Sequence, residues 1–405
     1  AKELLHPVFV FPGQGAQWEG MAVELLEHSE RFAAELEACD EALAPYLDWR
    51  VRDVLTTAEG APSIERIEVV QPTLFAVMVS LARLWESAGV RPGAVIGHSQ
   101  GEIAAAHIAG GLSLADAARL AALRSQIIAE LVGEGAMLSV ILPAEELTER
   151  IRPWEGEIEV AARNGPSATI LSAGREAADE FLRQCEQDGR RAREVPATIP
   201  SHSARVEPLR EALLEALAPI SPRTGEVPFI STVTGEALDT AELGSGYWYR
   251  NLREPVLFER VVRQLLSQGR RLFLEVSPHP VFALAIRATI EAALPDQAAA
   301  AVIGTLRRGE GGPGRFALSL AEAHVKGAAP DWQALVGTGG TDPGELPTDP
   351  FQRSRYWLDP GIGRAEAGAM GQAPAGHPLL SAITTVAGSE QLLLTGRLEL
   401  GAHPW

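Results

Sequence analysis

The sequence is short of cysteine, of aromatic residues and of positive charge. Its 405 residues include two cysteines, Cys39 and Cys185, which form no Cys-x-x-Cys pair or Cys/His cluster, so it predicts neither a disulfide framework nor a metal site. Lys and Arg total 35 against 53 Asp and Glu, which leaves a formal net charge of −18. Because nucleic acids and anionic membranes bind basic clusters, both are poor candidate partners.

Long apolar runs are also missing. Nowhere do about 18 apolar residues follow one another without a charge, and the N-terminal segment has no basic stretch followed by a long apolar core. The composition, 46% hydrophobic and 22% charged, is that of a globular protein, and the length fits two or three domains. We therefore expect a soluble, cytoplasmic chain and exclude disorder over most of it.

A strand, a glycine-rich turn and a helix follow one another twice in the first part of the sequence. The apolar run 7–11 meets the turn 12–15, and helical spacing of apolar residues begins soon after it. Residues 94–96 meet the turn 97–101, and small residues suited to a close-packed helix fill 102–109. Strands that alternate with helices favour an α/β fold with a parallel sheet covered on both faces.

Residues 136–198 follow a different order. Their pattern predicts strand, helix, strand, strand, helix and strand, the ferredoxin-like arrangement, inserted into the larger domain. The α/β pattern then resumes, until Gly/Pro/Thr-rich stretches after 309 predict an extended linker. We assign a large subdomain to 1–132 and 199–308, a small subdomain to 133–198, a linker to 309–359, and a further linker with a truncated β-rich unit to 360–405.

The segment Gly97–Gly101 matches the G-x-S-x-G nucleophile elbow. In such an elbow the flanking glycines let the chain turn sharply enough to hold a serine, here Ser99, above the sheet edge. The alternative is a tight turn with a capping serine. The strand before the segment and the helix after it favour a nucleophile, and the helix N-terminus favours negative charge near Ser99.

His202 lies where the small subdomain leads back into the large one. Clefts form at such junctions, and a serine nucleophile needs a nearby base. The alternative is a hydrogen-bonded loop histidine. No aspartate between Ser99 and His202 ends an apolar strand, as the Ser-Asp-His order would require, so a Ser-His dyad whose imidazole is oriented by a backbone carbonyl is the simpler prediction.

Arg124 lies on the apolar face of a predicted helix over 114–132. Its neighbours three, four and seven positions away along that face are aliphatic. An arginine there either extends its guanidinium to solvent, pairs with an internal carboxylate, or clamps a substrate carboxylate with two hydrogen bonds.

Motifs spread over almost all of 7–330 occur in the order of one known family. The sequence resembles the acyltransferase domain of modular type I polyketide synthases, which is related to malonyl-CoA:acyl carrier protein transacylase. That resemblance implies an α/β-hydrolase-like large domain with the inserted ferredoxin-like subdomain. It rests on FPGQGAQW (11–18), RIEVVQP (66–72), GHSQGE (97–102), ALRSQ (122–126), SHS (201–203), YWYRNLR (247–253) and EVSPHPV (275–281).

The last part of the chain has resemblances of its own. LPTDPFQRSRYWL (346–358) resembles the linker that follows such acyltransferases, and 377–405 resembles the opening of a dehydratase domain. The catalytic segment of that dehydratase would come after Trp405, so we expect no dehydration.

The resemblance also implies roles for individual residues, none of which spacing alone establishes. Ser99 would be acylated, with His202 as its base and later its acid. The remaining implied roles are the orientation of His202 by the backbone carbonyl of Asn251, an oxyanion hole from the amides of Gln14 and Gln100, an acyl pocket that includes Gln71, and a clamp at Arg124 for the free carboxylate of a malonyl-type unit.

The function implied is transfer of an extender acyl group from coenzyme A to Ser99 and then to the phosphopantetheine thiol of an acyl carrier protein. We expect no permanently bound cofactor, and the other domains of a parent synthase as further partners. A serine esterase or thioesterase would share the elbow and base, and a decayed docking domain is a non-catalytic alternative. Arg124 disfavours the esterase, and the retained Ser99, His202 and Arg124 disfavour the docking domain.

The family's specificity patterns give a mixed prediction for the extender unit. RIEVVQP and Gln100 resemble the methylmalonyl type, whose four residues ending in the catalytic histidine are usually Tyr-Ala-Ser-His. Here they are Ile199-Pro200-Ser201-His202, and they also differ from the His-Ala-Phe-His of malonyl types. Ile199 and Ser201 leave room beside the acyl group. We therefore expect methylmalonyl or a larger alkylmalonyl group, with a malonyl-specific acyltransferase as the alternative.

Overall fold

The computed structural model describes residues 5–195, 199–295, 300–336 and 371–398. It divides the chain into two compact units, 1–339 and 340–405. Its strands are β1 Val8–Phe11, β2 Ala94–Gly97, β3 Ala136–Val140, β4 Ile158–Gly165, β5 Ala168–Ala173, β6 Ala192–Glu194, β7 Phe229–Ser231, β8 Glu236–Leu238, β9 Leu272–Glu275, β10 Ala301–Gly304, β11 Ala373–Pro374, β12 Ala382–Thr385 and β13 Leu392–Thr395.

The helices alternate with these strands in the first unit. They are α1 Val23–His28, α2 Glu30–Leu43, α3 Val51–Leu55, α4 Ile67–Ser87, α5 Gly101–Ile108, α6 Leu114–Ile128, α7 Ala144–Arg150, α8 Arg175–Gln187, α9 Arg210–Leu217, α10 Ser245–Arg253, α11 Phe258–Ser267, α12 Ala283–Ala293, α13 Pro313–Val325 and α14 Trp332–Val336. Short 3₁₀ turns occupy Ala129–Leu131, Arg152–Trp154, Ala204–Leu209 and Thr240–Glu242.

The larger sheet has the strand order β10-β9-β1-β2-β7-β8, and all of its neighbouring strands are parallel except β7 and β8. Every residue of β1 is buried, because alternate side chains enter two different cores. Phe9 and Phe11 join one hydrophobic cluster, and Val8 and Val10 join another on the opposite face. This confirms the predicted α/β fold with a parallel sheet covered on both faces.

Helix α4 runs through the larger of those two cores. It is long and apolar enough to cross a membrane by length and composition alone, but most of it is buried inside the first unit. Trp85, near its end, is fully buried and donates from Nε1 to Thr305 Oγ1 at 3.0 Å. We therefore interpret α4 as a core helix of the large subdomain.

The inserted segment forms an antiparallel sheet in the order β4-β5-β3-β6. Helices α7 and α8 supply the rest of its own core, where Leu138 and Leu171 pack with Phe181. The order strand, helix, strand, strand, helix, strand with this pairing is the ferredoxin-like arrangement, as predicted.

The small and large subdomains are joined by backbone hydrogen bonds as well as by the chain. The Arg163 amide donates to the Val256 carbonyl and the Val256 amide donates to the Ala161 carbonyl, each at 2.9 Å. Strand β4 of the small subdomain is thereby paired with the segment that follows α10.

The first unit continues past the predicted boundary at 308. On α13, Phe316 packs edge-on against Trp85 with ring centroids 4.9 Å apart. The domain boundaries themselves stay predictions, and the linker motif at 346–358 lies outside the described residues. In the second unit, β11, β12 and β13 form an antiparallel sheet within 371–398.

Candidate active site

Ser99 lies at a sharp turn between β2 and α5. Its φ is 55°, in the left-handed region that non-glycine residues rarely adopt. A Cβ at Gly97 would collide with the Glu102 backbone, and one at Gly101 would collide with the Phe11 carbonyl oxygen. The two glycines are thus required for the close packing that holds the serine above the carboxyl end of the sheet.

His202 lies beside Ser99, as the resemblance implies. Its Nε2 is 2.9 Å from Ser99 Oγ, and its Nδ1 is 2.9 Å from the carbonyl oxygen of Glu254. A carbonyl oxygen can only accept, so the Nδ1 carries the proton and the lone pair of Nε2 faces the serine hydroxyl. Such an arrangement is that of a neutral base ready to take the Ser99 proton.

The carbonyl that orients His202 belongs to Glu254, and the implied role of the Asn251 carbonyl is wrong. Asn251 lies inside α10, where backbone carbonyls point along the helix axis. Glu254 is the first residue beyond the helix and has an extended backbone, with ψ 154°, so its carbonyl is free to accept from the imidazole. The His202 amide also donates to the Leu252 carbonyl at 2.8 Å, which places the ring at the C-terminus of α10.

The Asn251 side chain contacts the backbone of Ser99, not His202. Its Nδ2 donates to the carbonyl oxygen of Ser99 at 3.2 Å and to Oε2 of Glu102 at 2.9 Å. The side chain is nearly fully buried. Asn251 therefore supports the strained backbone of the elbow rather than the histidine.

Glu102 is a buried carboxylate that the sequence analysis did not single out. Its Oε1 accepts from the amide and hydroxyl of Thr232 at 2.6 and 2.8 Å, and its Oε2 accepts from the Tyr247 hydroxyl at 2.6 Å as well as from Asn251. Burial raises the pKa of Glu102, and these four donors oppose that shift. The sequence signal that could have indicated Glu102 is an acidic residue at the start of a helix made mostly of small and apolar residues.

Arg124 and Gln71 are brought together in the interior. Arg124 is 1% exposed, its Nη1 donates to Gln71 Oε1 at 2.9 Å, and its buried Nε has no partner among the described residues. Burial lowers the pKa of Arg124 to about 10, while Glu102 raises it. The guanidinium stays charged near neutral pH with donor capacity to spare, which a carboxylate could take up.

The positive charge of Arg124 contributes to lowering the pKa of His202. Burial, His98 and Arg124 together lower the pKa of His202 to about 3. His98 is likewise buried, with its pKa lowered to about 4, and it stacks on Phe282 while bonding Asn164 at 2.8 Å. The base is therefore uncharged over the ordinary range of histidine titration.

The loop after β1 lies directly against the elbow. A Cβ at Gly13 would sit 3.1 Å from the His98 carbonyl oxygen and 3.7 Å from Ser99 Cβ. Within the described part of the chain, the backbone amides of Gln14 and Gln100 donate to no acceptor. Both amides are thus available to an anionic oxygen near Ser99, as the implied oxyanion hole requires.

Ile199 and Ser201 lie just before His202. Ile199 is buried in the main hydrophobic cluster, and Ser201 is half-buried with its amide donating to the Ile199 carbonyl at 3.0 Å.

The two cysteines are free and buried, and burial raises the pKa of both thiols. Among the described residues, no group of three or more His, Cys, Asp or Glu could hold a metal ion.

Comparison with known proteins gives consistent matches. Residues 8–330 match the acyl transferase domain family. Polyketide synthase GfsE of Streptomyces halstedii is 52% identical over 398 residues, which cover 98% of this chain and 10% of that protein. The chain thus spans about a tenth of the length of this curated relative.

Solved structures agree with this match. The acyltransferase domain from module 8 of the salinomycin polyketide synthase is 52% identical with a TM-score of 0.79, over 81% of this chain and 77% of that one. The malonyl CoA-acyl carrier protein transacylase of Coxiella burnetii is 26% identical with a TM-score of 0.70, over 81% and 100%.

Proposed function

The chain belongs to the acyl transferase domain family, with the acyltransferase domains of modular polyketide synthases, and from that membership we propose that it loads an α-carboxyacyl extender unit. The unit moves from coenzyme A to Ser99 and then to the phosphopantetheine thiol of an acyl carrier protein. Methylmalonyl or a larger alkylmalonyl group is the proposed cargo. The carrier protein, the other domains of a synthase and a cytoplasmic location belong to the same proposal.

Acylation begins with the proton on Ser99. His202 Nε2 takes that proton as Ser99 Oγ attacks the thioester carbonyl, and the carbonyl oxygen becomes an anion held by the amides of Gln14 and Gln100. The imidazolium that forms lies at the C-terminus of α10, where the Glu254 carbonyl stabilises it. When the C–S bond breaks, His202 returns the proton to the departing thiolate, which leaves acyl-Ser99 and free coenzyme A.

The second half runs in reverse with a new thiol. His202 takes the proton of the carrier protein's phosphopantetheine thiol, whose sulfur attacks the acyl-Ser99 carbonyl. The C–O bond to Ser99 then breaks, and His202 protonates the serine oxygen. No proton is gained or lost over the complete cycle.

The observation that carries the proposed substrate class is the buried Arg124 guanidinium, which makes no direct ion pair with a carboxylate within the described residues, although the charge of Glu102 acts on it from farther away. Its only side-chain hydrogen bond within the described residues is to neutral Gln71. A buried cation with spare donors is costly unless an anion fills the space, and the free carboxylate of a malonyl-type group would do so. A general esterase gains nothing from such a residue.

The proposed branch at C2 rests on Ile199 and Ser201. Ile199 is smaller than the tyrosine usual at this place in methylmalonyl types, and Ser201 is smaller than the phenylalanine usual in malonyl types. Both features leave room beside the acyl group. Because one methylene in an apolar pocket discriminates by only about 1–3 kcal/mol, preference among branched donors should be graded.

Intact-mass spectrometry tests the proposal directly. The protein is mixed with malonyl-, methylmalonyl-, ethylmalonyl- and propionyl-CoA in competition, and the adduct on Ser99 is identified and followed over time. We expect a lasting methylmalonyl or ethylmalonyl adduct that a holo carrier protein removes. Rapid hydrolysis without a lasting adduct would indicate a hydrolase, and a clear malonyl preference would contradict the proposed branch.

A further inference from the structure

One histidine and two arginines lie close together outside the Ser99–His202 dyad. The formal net charge of the chain is −18. Arg307 and Arg308 are exposed and follow β10, while His279 follows β9. The Arg308 amide donates to His279 Nδ1 at 3.1 Å. Within the described part of the chain, no carboxylate lies within ion-pair distance of either guanidinium, although many other surface arginines are paired.

The imidazole of His279 presents a donor beside these two cations. Because Nδ1 accepts the amide of Arg308, the ring proton lies on Nε2. Burial and the charges of Arg308 and Arg307 lower the pKa of His279, so the neutral form is favoured. The cluster thus offers two guanidinium groups and an N–H, a donor set that suits a phosphate.

The cluster lies at the same edge of the sheet as Ser99. Strands β1, β2, β9 and β10 are parallel, so the segments that follow them share the carboxyl edge, where ligands of open α/β sheets bind. In the order β10-β9-β1-β2, three strand spacings separate the end of β10 from that of β2, or roughly 14 Å at about 4.8 Å each.

The loop that carries Gln14 spans this interval. At one end, Gly13 lies against the elbow. At the other end, Trp18 Nε1 donates to the Pro278 carbonyl at 3.0 Å, and Arg308 Nη2 is 3.5 Å from the Gln17 carbonyl. The cluster and the candidate oxyanion amides therefore flank the same loop.

We propose that His279, Arg307 and Arg308 form a binding site for the phosphate that terminates a pantetheine arm. This inference rests on the proposed function. An extended pantetheine arm has about thirteen bonds from sulfur to phosphorus, or roughly 16 Å, which is close to the roughly 14 Å between the ends of β2 and β10. Coenzyme A and a carrier protein both have a phosphate at this position.

The site offsets the repulsion that an acidic protein exerts on an anionic donor. At a net charge of −18, the long-range field opposes the approach of coenzyme A, whose phosphates are anionic. Arg307 and Arg308, which form no ion pair within the described residues, place two positive charges at this edge of the sheet and so favour an anion there. The interaction weakens with added salt, because both groups are exposed.

The experiment compares Arg307→Ala, Arg308→Ala and the double variant with Arg91→Ala. Arg91 is exposed, makes no ion pair within the described residues, and precedes β2 at the opposite edge of the sheet. Its variant therefore removes the same charge far from the cluster. Donors are methylmalonyl-CoA, methylmalonyl-phosphopantetheine and methylmalonyl-pantetheine, which lacks the phosphate.

We expect KM for the two phosphate-bearing donors to rise about fivefold in each single variant and about 20-fold in the double variant. Values for the pantetheine donor should stay within twofold, which also shows that the variants fold. Arg91→Ala should match the unsubstituted protein with every donor. Raised salt should narrow the difference between the double variant and the unsubstituted protein.

Equal losses with all three donors would overturn the phosphate site, and so would unchanged KM values in the double variant. A loss with methylmalonyl-CoA alone would overturn the assignment to the shared phosphate, because the nucleotide phosphates would then be what binds. Calorimetric binding of free phosphopantetheine and of pantetheine needs no catalysis. Weaker phosphopantetheine binding in the double variant, with pantetheine binding unchanged, therefore supports the site even if no acyl transfer occurs and the proposed function fails.

Discussion

His202 is held by the backbone of Glu254, whose side chain belongs to a separate surface pair. The Nδ1 of His202 is 2.9 Å from the Glu254 carbonyl oxygen, while the Glu254 carboxylate accepts from Arg250 Nε at 2.7 Å. The orientation of the imidazole therefore depends on where α10 ends and not on which side chain follows it. Substitution of Glu254 can test that separation.

Glu254→Ala should leave acylation of Ser99 within about twofold, because the accepting carbonyl is retained and an exposed ion pair contributes little. Asn251→Ala should slow acylation by roughly 10–100-fold, since it removes the hydrogen bonds to the Ser99 carbonyl and to buried Glu102. Single-turnover acylation measures both rates. A large loss in Glu254→Ala with little loss in Asn251→Ala would contradict this division of roles.

Ser99→Ala should abolish the acyl adduct, and His202→Ala should slow acylation by roughly 10²–10⁴-fold, the usual contribution of a general base. The two effects should not add, because both residues act in one step. Intact-mass spectrometry follows the adduct, with Ser201→Ala as the matched control that should still acylate. Acylation of Ser99→Ala at Ser201 or Ser203 would show that the nucleophile is misassigned.

Arg124→Ala should lower kcat/KM for methylmalonyl-CoA by roughly 10²–10³-fold, because the donor's carboxylate would be buried without its counter-charge. Propionyl-CoA, which lacks that carboxylate, should lose much less, so selectivity shifts toward simple acyl groups. Arg119→Ala on the same helix is the control, since Arg119 bonds the Ala216 carbonyl instead. Equal losses for both donors would make Arg124 merely structural.

Ile199→Tyr should narrow the acyl pocket and reduce the preference for ethylmalonyl-CoA over methylmalonyl-CoA by about tenfold, the usual effect of one methylene. Ile199→Leu conserves volume and should change that ratio far less. Competition between the two donors gives the ratio directly. A ratio that Ile199→Tyr leaves unaltered would remove Ile199 from the acyl pocket.

Acid should destabilise the fold through its buried histidines. Burial lowers the pKa of His107 from 6.5 to about 4, so between these values the unfolded chain binds a proton that the folded chain does not. Stability then rises with pH across this window and is lost as pH falls, by up to about 3 kcal/mol for His107. Urea unfolding at pH 7 and pH 4.5 should show a smaller acid loss in His107→Gln. His28→Gln, which removes an exposed histidine, is the control, and an equal loss in both variants would refute the assignment.

The elbow and the buried arginine could be predicted because their signals are local. Two glycines around Ser99 require a sharp turn, and apolar neighbours at helical spacing place Arg124 inside. Helix α4 was not predicted, because it is buried on nearly all sides and has no polar face to set a period. The motif RIEVVQP, at 66–72, falls at the start of this helix but does not by itself indicate one.

The contacts that complete the site join residues far apart in sequence. Glu102 meets Thr232 and Tyr247 only after the sheet and α10 have assembled, so no spacing indicates their contact. The acceptor for His202 is fixed by the backbone direction at Glu254, which depends on the last turn of α10. This contact uses a backbone oxygen, so the identity of the side chain at Glu254 does not indicate it.

The hydrogen bonds between β4 and Val256 limit how segments of related acyltransferases can be exchanged to change acyl-group specificity. Val256 exchanges backbone hydrogen bonds with Ala161 and Arg163 of the small subdomain, and it lies two residues after Glu254, whose carbonyl orients His202. A chimera that imports the small subdomain alone would give this segment a foreign partner and could tilt the imidazole. The small subdomain, 133–198, should therefore be exchanged together with 254–258, so that the hydrogen bonds between β4 and Val256 join residues from the same relative.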